Sequence, residues 1–126
     1  MQITKNFNLS EFACKDGTPV PDEYLDNVKE LAKELQVLRD FLESPLRINS
    51  AYRTKTYNKS VGGAEKSKHL VAMAADLSSP KYTPSQIRAA ILKLIKEKKM
   101  RDGGIGYYNT FIHYDISTPR RWDLRK

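Results

Sequence analysis

The chain has only two histidines, and each lies close to an aspartate. In "SKHLVAMAADLSSP", His69 precedes Asp76 by seven residues, and small apolar side chains fill most of the gap. In "TFIHYDIS", His113 and Asp115 are two positions apart. Along a strand, residues i and i+2 point to the same face. Phe111, His113 and Asp115 therefore share one face of that segment, and Ile112, Tyr114 and Ile116 share the other. Neighbouring polar groups on so apolar a strand are either solvated or bound, since burying them unpaired costs several kcal/mol, on the order of 2–7 each. An H-x-D pair taken alone is most often a surface pair. The other reading is a metal site. Two imidazoles and a carboxylate suit catalytic zinc with a fourth position open to water, and water held there ionises near neutral pH. Other first-row metals accept the same donors.

Several elements must carry these residues. Leu25, Val28, Leu31, Ala32, Leu35, Leu38 and Leu42 recur at spacings of three and four. That spacing predicts an amphipathic helix over 22–43, ended by Pro45, with Lys and Glu on its outer face. Before it, Asn8 or Ser10 can cap a short helical turn beside Glu11. "LRINSAY" reads as a strand with Leu46 and Ile48 on one side, followed by a polar loop from Arg53 to Lys68. "AMAADLS" reads as a buried strand. Thr83, Pro84 and Gln86 form a capping box with proline at the first helical position. Ile87, Ile91, Leu94 and Ile95 supply that helix's core stripe, and Gly103 and Gly104 are expected to stop it. "GIGYYNTFIHYDIS" then gives two strand pieces joined at "YYNT". This order of helices and antiparallel-looking strands predicts a small α+β domain.

Composition sets the outer limits. With 126 residues, 40% hydrophobic and 29% charged, residues 1–126 are expected to form a single globular domain. Its single cysteine, Cys14, excludes an internal disulfide and any multi-cysteine zinc site, and is read as a small buried hydrophobe. The net charge of +7 arises entirely in the second half, where residues 64–126 carry thirteen basic and six acidic side chains. The first 63 residues carry nine of each. Such asymmetry suits an anionic partner, or serves solubility alone. A nucleic-acid partner would explain the charge but neither the His/Asp pattern nor Arg53, so none is expected. Neither is a membrane partner, because no apolar run approaches the ~20 residues of a membrane span. The N-terminal stretch lacks the features of a signal peptide, so synthesis in the cytoplasm is expected.

Five segments carry a further signal: "SAYR" (50–53), "VGGA" (61–64), "SKHLVAMAAD" (67–76), "GIGYYNTFIHYD" (104–115) and "RRW" (120–122). In order and spacing this series resembles the zinc D-Ala-D-Ala carboxypeptidases of peptidase family M15, in the compact branch that includes bacteriophage and bacterial proteins. There S-G-Y-R precedes V-G-G-A, then S-x-H-x-x-G-x-A-x-D, then an H-x-D strand before R-W. "NFNLSEFACKDG" is similar to the family's N-terminal segment.

The resemblance implies a hedgehog/DD-peptidase-like fold, a small antiparallel sheet flanked by helices. It implies Zn2+ held by His69, Asp76 and His113, with Arg53 facing a substrate carboxylate or the developing oxyanion and Ser67 supporting His69. It implies hydrolysis of peptide bonds in peptidoglycan stem peptides or cross-bridges by a monomeric enzyme of carboxypeptidase, endopeptidase or endolysin type. Such an enzyme, phage-encoded or bacterial, would act on the wall after release. The other reading is a non-catalytic zinc domain of the same fold that binds a peptide or protein. Ala51 and Ala72 stand where the family usually has glycine. Thr110 stands where many relatives carry a glutamate three residues before the last histidine. Asp115 is the nearest carboxylate, either as general base or as the group that orients His113.

Overall fold

A computed structural model describes all residues, 1–126. The fold is α+β. Its centre is a five-stranded sheet of β3 (Arg47–Ser50), β4 (Ala74–Ser78), β5 (Gly104–Tyr107), β6 (Ile112–Asp115) and β7 (Arg120–Asp123), in the order β3-β4-β6-β5-β7. Neighbours run antiparallel except β5 and β7, which are parallel. The sheet is therefore mixed rather than purely antiparallel. A small N-terminal hairpin, β1 (Gln2–Thr4) and β2 (Phe7–Asn8), forms a second, antiparallel sheet.

The apolar periodicities become one core. Helix α1 (Leu25–Leu42) buries Val28, Leu31, Ala32, Leu35, Leu38 and Leu42, and a 3₁₀ turn at Asp22–Tyr24 leads into it. It ends at Glu43, whose left-handed backbone (φ 51) turns the chain before Pro45 is reached. One acidic residue of α1 departs from the expected solvent-facing set: Glu34 is buried, and its Oε1 accepts the Arg101 backbone N–H at 2.7 Å. Helix α3 (Pro84–Lys96) begins at the expected Thr83–Gln86 capping box and buries Ile87, Ala90, Ile91 and Leu94. It stops at Lys96, earlier than expected. The turn that follows puts Lys98 in the left-handed region, and Gly103 and Gly104 serve the start of β5 instead. These helix stripes share a cluster with Ile48, Leu77, Ile105, Ile112 and Tyr114 of the sheet. Cys14 is buried in the same cluster. Near the N-terminus, Asn8 and Glu11 form a capping box on a 3₁₀ turn, Leu9–Phe12.

The segment expected to be a polar loop contains a helix, α2 (Lys55–Ser60), capped by Thr54, whose Oγ1 accepts the Tyr57 N–H. It buries only Asn58, so six residues show no apolar stripe for a periodicity argument to find. No helix is long and apolar enough to cross a membrane.

Candidate metal centre and its cleft

Alternation along the strands separates core from site. On β6, Ile112 and Tyr114 enter the core while His113 and Asp115 take the opposite face. On β4, Ala75 and Leu77 enter the core and Asp76 does not. The antiparallel register sets Asp76 directly across from His113. His69 arrives from a 3₁₀ turn, Lys68–Val71, capped by Ser67, whose Oγ accepts the His69 N–H at 3.1 Å. That turn closes at Ala72, which has φ 58, so one of the two alanines in glycine positions does occupy the left-handed region. Ala51 has ordinary backbone.

Each ring nitrogen of the two histidines has a distinct task. His69 Nδ1 donates to the Ala51 carbonyl at 2.6 Å, because a carbonyl oxygen can only accept. That leaves Nε2, which lies 3.2 Å from Asp76 Oδ1. His113 Nε2 donates to Asp115 Oδ2 at 2.8 Å, and His113 Nδ1 lies 3.2 Å from the same Asp76 Oδ1. One donor atom from each of His69, Asp76 and His113 lies within 4.8 Å of the others, and all three residues are buried. Tetrahedral zinc with bonds of about 2.0–2.2 Å places neighbouring donor atoms about 3.3–3.5 Å apart. Both 3.2 Å separations agree with that spacing. The group could hold a metal ion, and both imidazoles have their far nitrogens tied to acceptors, as metal-binding histidines usually do.

Charge in the site is closely paired. Burial opposes ionisation of Asp76, yet its hydrogen bonds with His113 and His69 hold it well below the usual carboxylate range. Burial likewise disfavours the His113 cation, but the flanking carboxylates of Asp115 and Asp76 raise its pKa above the ordinary value. Asp115 has a fully buried side chain. Its Oδ1 accepts the Gly104 and Ser117 N–H groups at 3.0 Å, and Arg120 Nη2 reaches both oxygens at 2.7 Å. Burial raises its pKa, but the bonds from His113 and Arg120 outweigh that and hold it low. Arg53 is fixed from three sides. Its Nε donates to Ser50 Oγ at 3.0 Å, Nη1 to Asn58 Oδ1 at 3.1 Å and Nη2 to Asp76 Oδ2 at 3.0 Å.

Arg53, His69, Asp76, His113 and Asp115 line a cleft of about 580 Å³ together with Tyr108, Phe111, Arg120, Trp122 and residues 61–64 and 66–68. Asp76 and Asp115 are the acidic residues of its wall, and each is ion-paired to an arginine. Tyr108 lines the cleft, whereas Glu65 lines a neighbouring hollow and Tyr107 packs under Arg125. Thr110 is not part of the wall. Trp122 stands with its ring centroid 5.0 Å from that of His113. Two glycines on β5 make this arrangement possible: a Cβ on Gly104 would strike the Asp115 carboxylate and Arg120, and one on Gly106 would strike the Trp122 indole.

Sequence reasoning had no role for Ser50, Asn58, Arg120 or Trp122. The only signal for Ser50 was "SAYR" and for Arg120 and Trp122 "RRW"; Asn58 had none. No curated protein matches the chain. The family model described as Peptidase M15 matches residues 4–115, a span that includes His69, Asp76, His113 and Asp115 and ends just before Arg120 and Trp122. The chain belongs to the Peptidase M15 family, a family of metallopeptidases.

Proposed function

We propose that this protein is a zinc peptidase that hydrolyses peptide bonds in the stem peptides or cross-bridges of bacterial peptidoglycan. The observation that carries the reading is the convergence of His69 Nε2, Asp76 Oδ1 and His113 Nδ1 at the floor of an open cleft, within a chain of the Peptidase M15 family. Zinc held by these three atoms would supply a Lewis acid for the scissile carbonyl and activate water near neutral pH.

The surrounding residues have derivable tasks. Arg53 spends three of its five N–H groups on Ser50, Asn58 and Asp76, which fixes its plane. The remaining N–H groups are available to a substrate carboxylate or a developing oxyanion in the cleft that Arg53 lines. Asp115 orients His113: both its oxygens are occupied and its side chain is fully buried, which leaves no lone pair to take a proton from water. Ser67 holds the turn that presents His69. The basic wall formed by Lys66, Lys68, Arg53 and Arg120 suits an anionic wall peptide. The protein acts as a monomer, and a phage lysin released onto the wall is the setting that fits it.

One observation favours a second reading, a non-catalytic zinc domain that binds a peptide: the cleft wall holds no uncommitted carboxylate to serve as general base. The experiment that separates them measures zinc content and incubates the protein with peptidoglycan and defined stem peptides, with and without chelator. One zinc per chain and chelator-sensitive cleavage, both lost in His69→Ala, is the expected result. Zinc without turnover on any wall peptide establishes the binding domain, and absence of metal at neutral pH refutes both readings.

A further inference from the structure

The walls of the cleft offer two hydroxyls whose own protons are unspent: Ser67, which holds the turn that presents His69, and Tyr108, which sits in the β5–β6 turn. Tyr108 Oη accepts the Trp122 indole N–H at 3.0 Å, and the phenol donates to no protein acceptor. Phe111 and Trp122 fix its position. The ring stacks on Phe111 with centroids 4.4 Å apart and planes at 11°, and the Tyr108 N–H closes the tight turn onto the Phe111 carbonyl at 3.2 Å. Trp122, which supplies the hydrogen bond, rests on Gly106, lies beside His113 and sits under Arg120 with the guanidinium 5.4 Å from its ring centroid. A hydroxyl that accepts one hydrogen bond becomes a better donor of another, because chains of hydrogen bonds polarise one another. Tyr108 shares the cleft with His69, Asp76, His113 and Arg53, and the carboxylates there are already committed.

We propose that Tyr108 is a catalytic residue: its O–H donates a hydrogen bond to the substrate carbonyl oxygen as negative charge develops there. Trp122 is its positioning residue, aiming the hydroxyl by occupying its lone pair. This role rests on the peptidase reading. The bond is made in the transition state, so it acts on kcat rather than on ground-state binding.

The test compares wild type, Tyr108→Phe and Trp122→Phe, each loaded with zinc. Tyr108→Phe keeps the stacked ring and removes only the hydroxyl. Steady-state hydrolysis of a defined stem peptide is measured alongside calorimetric binding of a phosphinate isostere of the scissile dipeptide, a tetrahedral mimic. Tyr108→Phe is expected to lower kcat on the order of 10²-fold with little change in KM, as loss of one oxyanion donor does. Affinity for the phosphinate falls in parallel, and Trp122→Phe shows a smaller loss of the same kind. A Tyr108→Phe enzyme with kcat within about threefold of wild type, or one changed only in KM, overturns the role of Tyr108 alone. So does a fall in kcat with phosphinate affinity unchanged. A wild type that cleaves none of the wall peptides overturns the peptidase reading and this role with it.

Discussion

Replacing Asp115 by asparagine keeps the shape of the side chain and reverses one hydrogen bond. The amide oxygen, placed where Oδ1 stands, still accepts the Gly104 and Ser117 N–H groups. The amide NH2 then occupies the position of Oδ2 and faces His113 Nε2, which lies 2.8 Å away and has been donating to it. Two donors cannot share that contact, so Nε2 must give up its proton and accept. In a neutral imidazole the proton then moves to Nδ1, the atom that points at Asp76 Oδ1 and would otherwise bind the metal. The expected loss of zinc affinity is about 10- to 100-fold, the usual effect of removing a partner behind a metal-binding histidine, or about 1.4–2.7 kcal/mol. The metal-free fold loses its charge-assisted bonds between Asp115 and Arg120. We expect about 2–3 kcal/mol, because Arg120 can turn to solvent and need not remain as a buried unpaired charge. Zinc competition against a chromophoric chelator measures the first quantity, thermal unfolding of metal-free protein the second, and ¹⁵N shifts of the His113 ring read the tautomer. A variant that keeps wild-type zinc affinity and the wild-type tautomer refutes the reasoning. If that same variant had lost turnover, Asp115 would be the general base instead.

In metal-free protein, protonated His113 between two carboxylates stabilises the fold, since its pKa is raised above the ordinary 6.5. That contribution is complete below pH 6.5 and is lost as pH rises through the raised value, while the low pKa values of Asp76 and Asp115 make theirs present above 3.8 and lost as pH falls. Stripped protein should therefore melt highest in mildly acidic buffer, and zinc, which must displace the Nδ1 proton, should move that optimum upward; identical pH profiles with and without zinc would count against the site. Gly106→Ala forces the indole of Trp122 aside, so melting should show a loss of about 1–3 kcal/mol from overpacking, together with a fall in turnover. Ala72→Gly should be nearly neutral: relief of about 1–2 kcal/mol of left-handed strain is offset by about 0.8 for the buried methyl and about 0.5–1 for backbone entropy. A shift in melting temperature beyond about 5 °C would show that one of these terms is misjudged.

The parts of the fold that were legible were those with a local cause. The stripes of α1 and α3, the Thr83–Gln86 box and the alternation of His113 with Tyr114 follow from spacing alone, and the structure keeps them, with only Leu25 and Ile95 at the stripe ends left half-buried. What escaped was set by contacts distant in sequence. Strand β7 is an exposed edge whose order comes from pairing with β5, and "RRWD" has no apolar alternation to announce it. Glu34 looks like any other surface acid of α1 until the backbone of Arg101, 67 residues away, is brought to it. In the site, the pairing of His113 with Asp115 could be read from the period of a strand. The meeting of Asp76 and His113 depends on the β4–β6 register, and the Arg120 bond to Asp115 depends on β7 being parallel to β5. Sequence spacing names donors and leaves their partners unspecified.

Trp122 is the only tryptophan in the chain, and it stands against His113 in the cleft wall. The protein thus carries its own optical reporter. Indole emission is quenched by a protonated imidazole at van der Waals range and recovers when that imidazole is neutralised or takes a metal. Intrinsic fluorescence excited at the red edge, where tyrosine does not absorb, therefore reads the state of one ring. Zinc occupancy and arrival of a peptide in the cleft could both be followed in real time, with no label and no substitution.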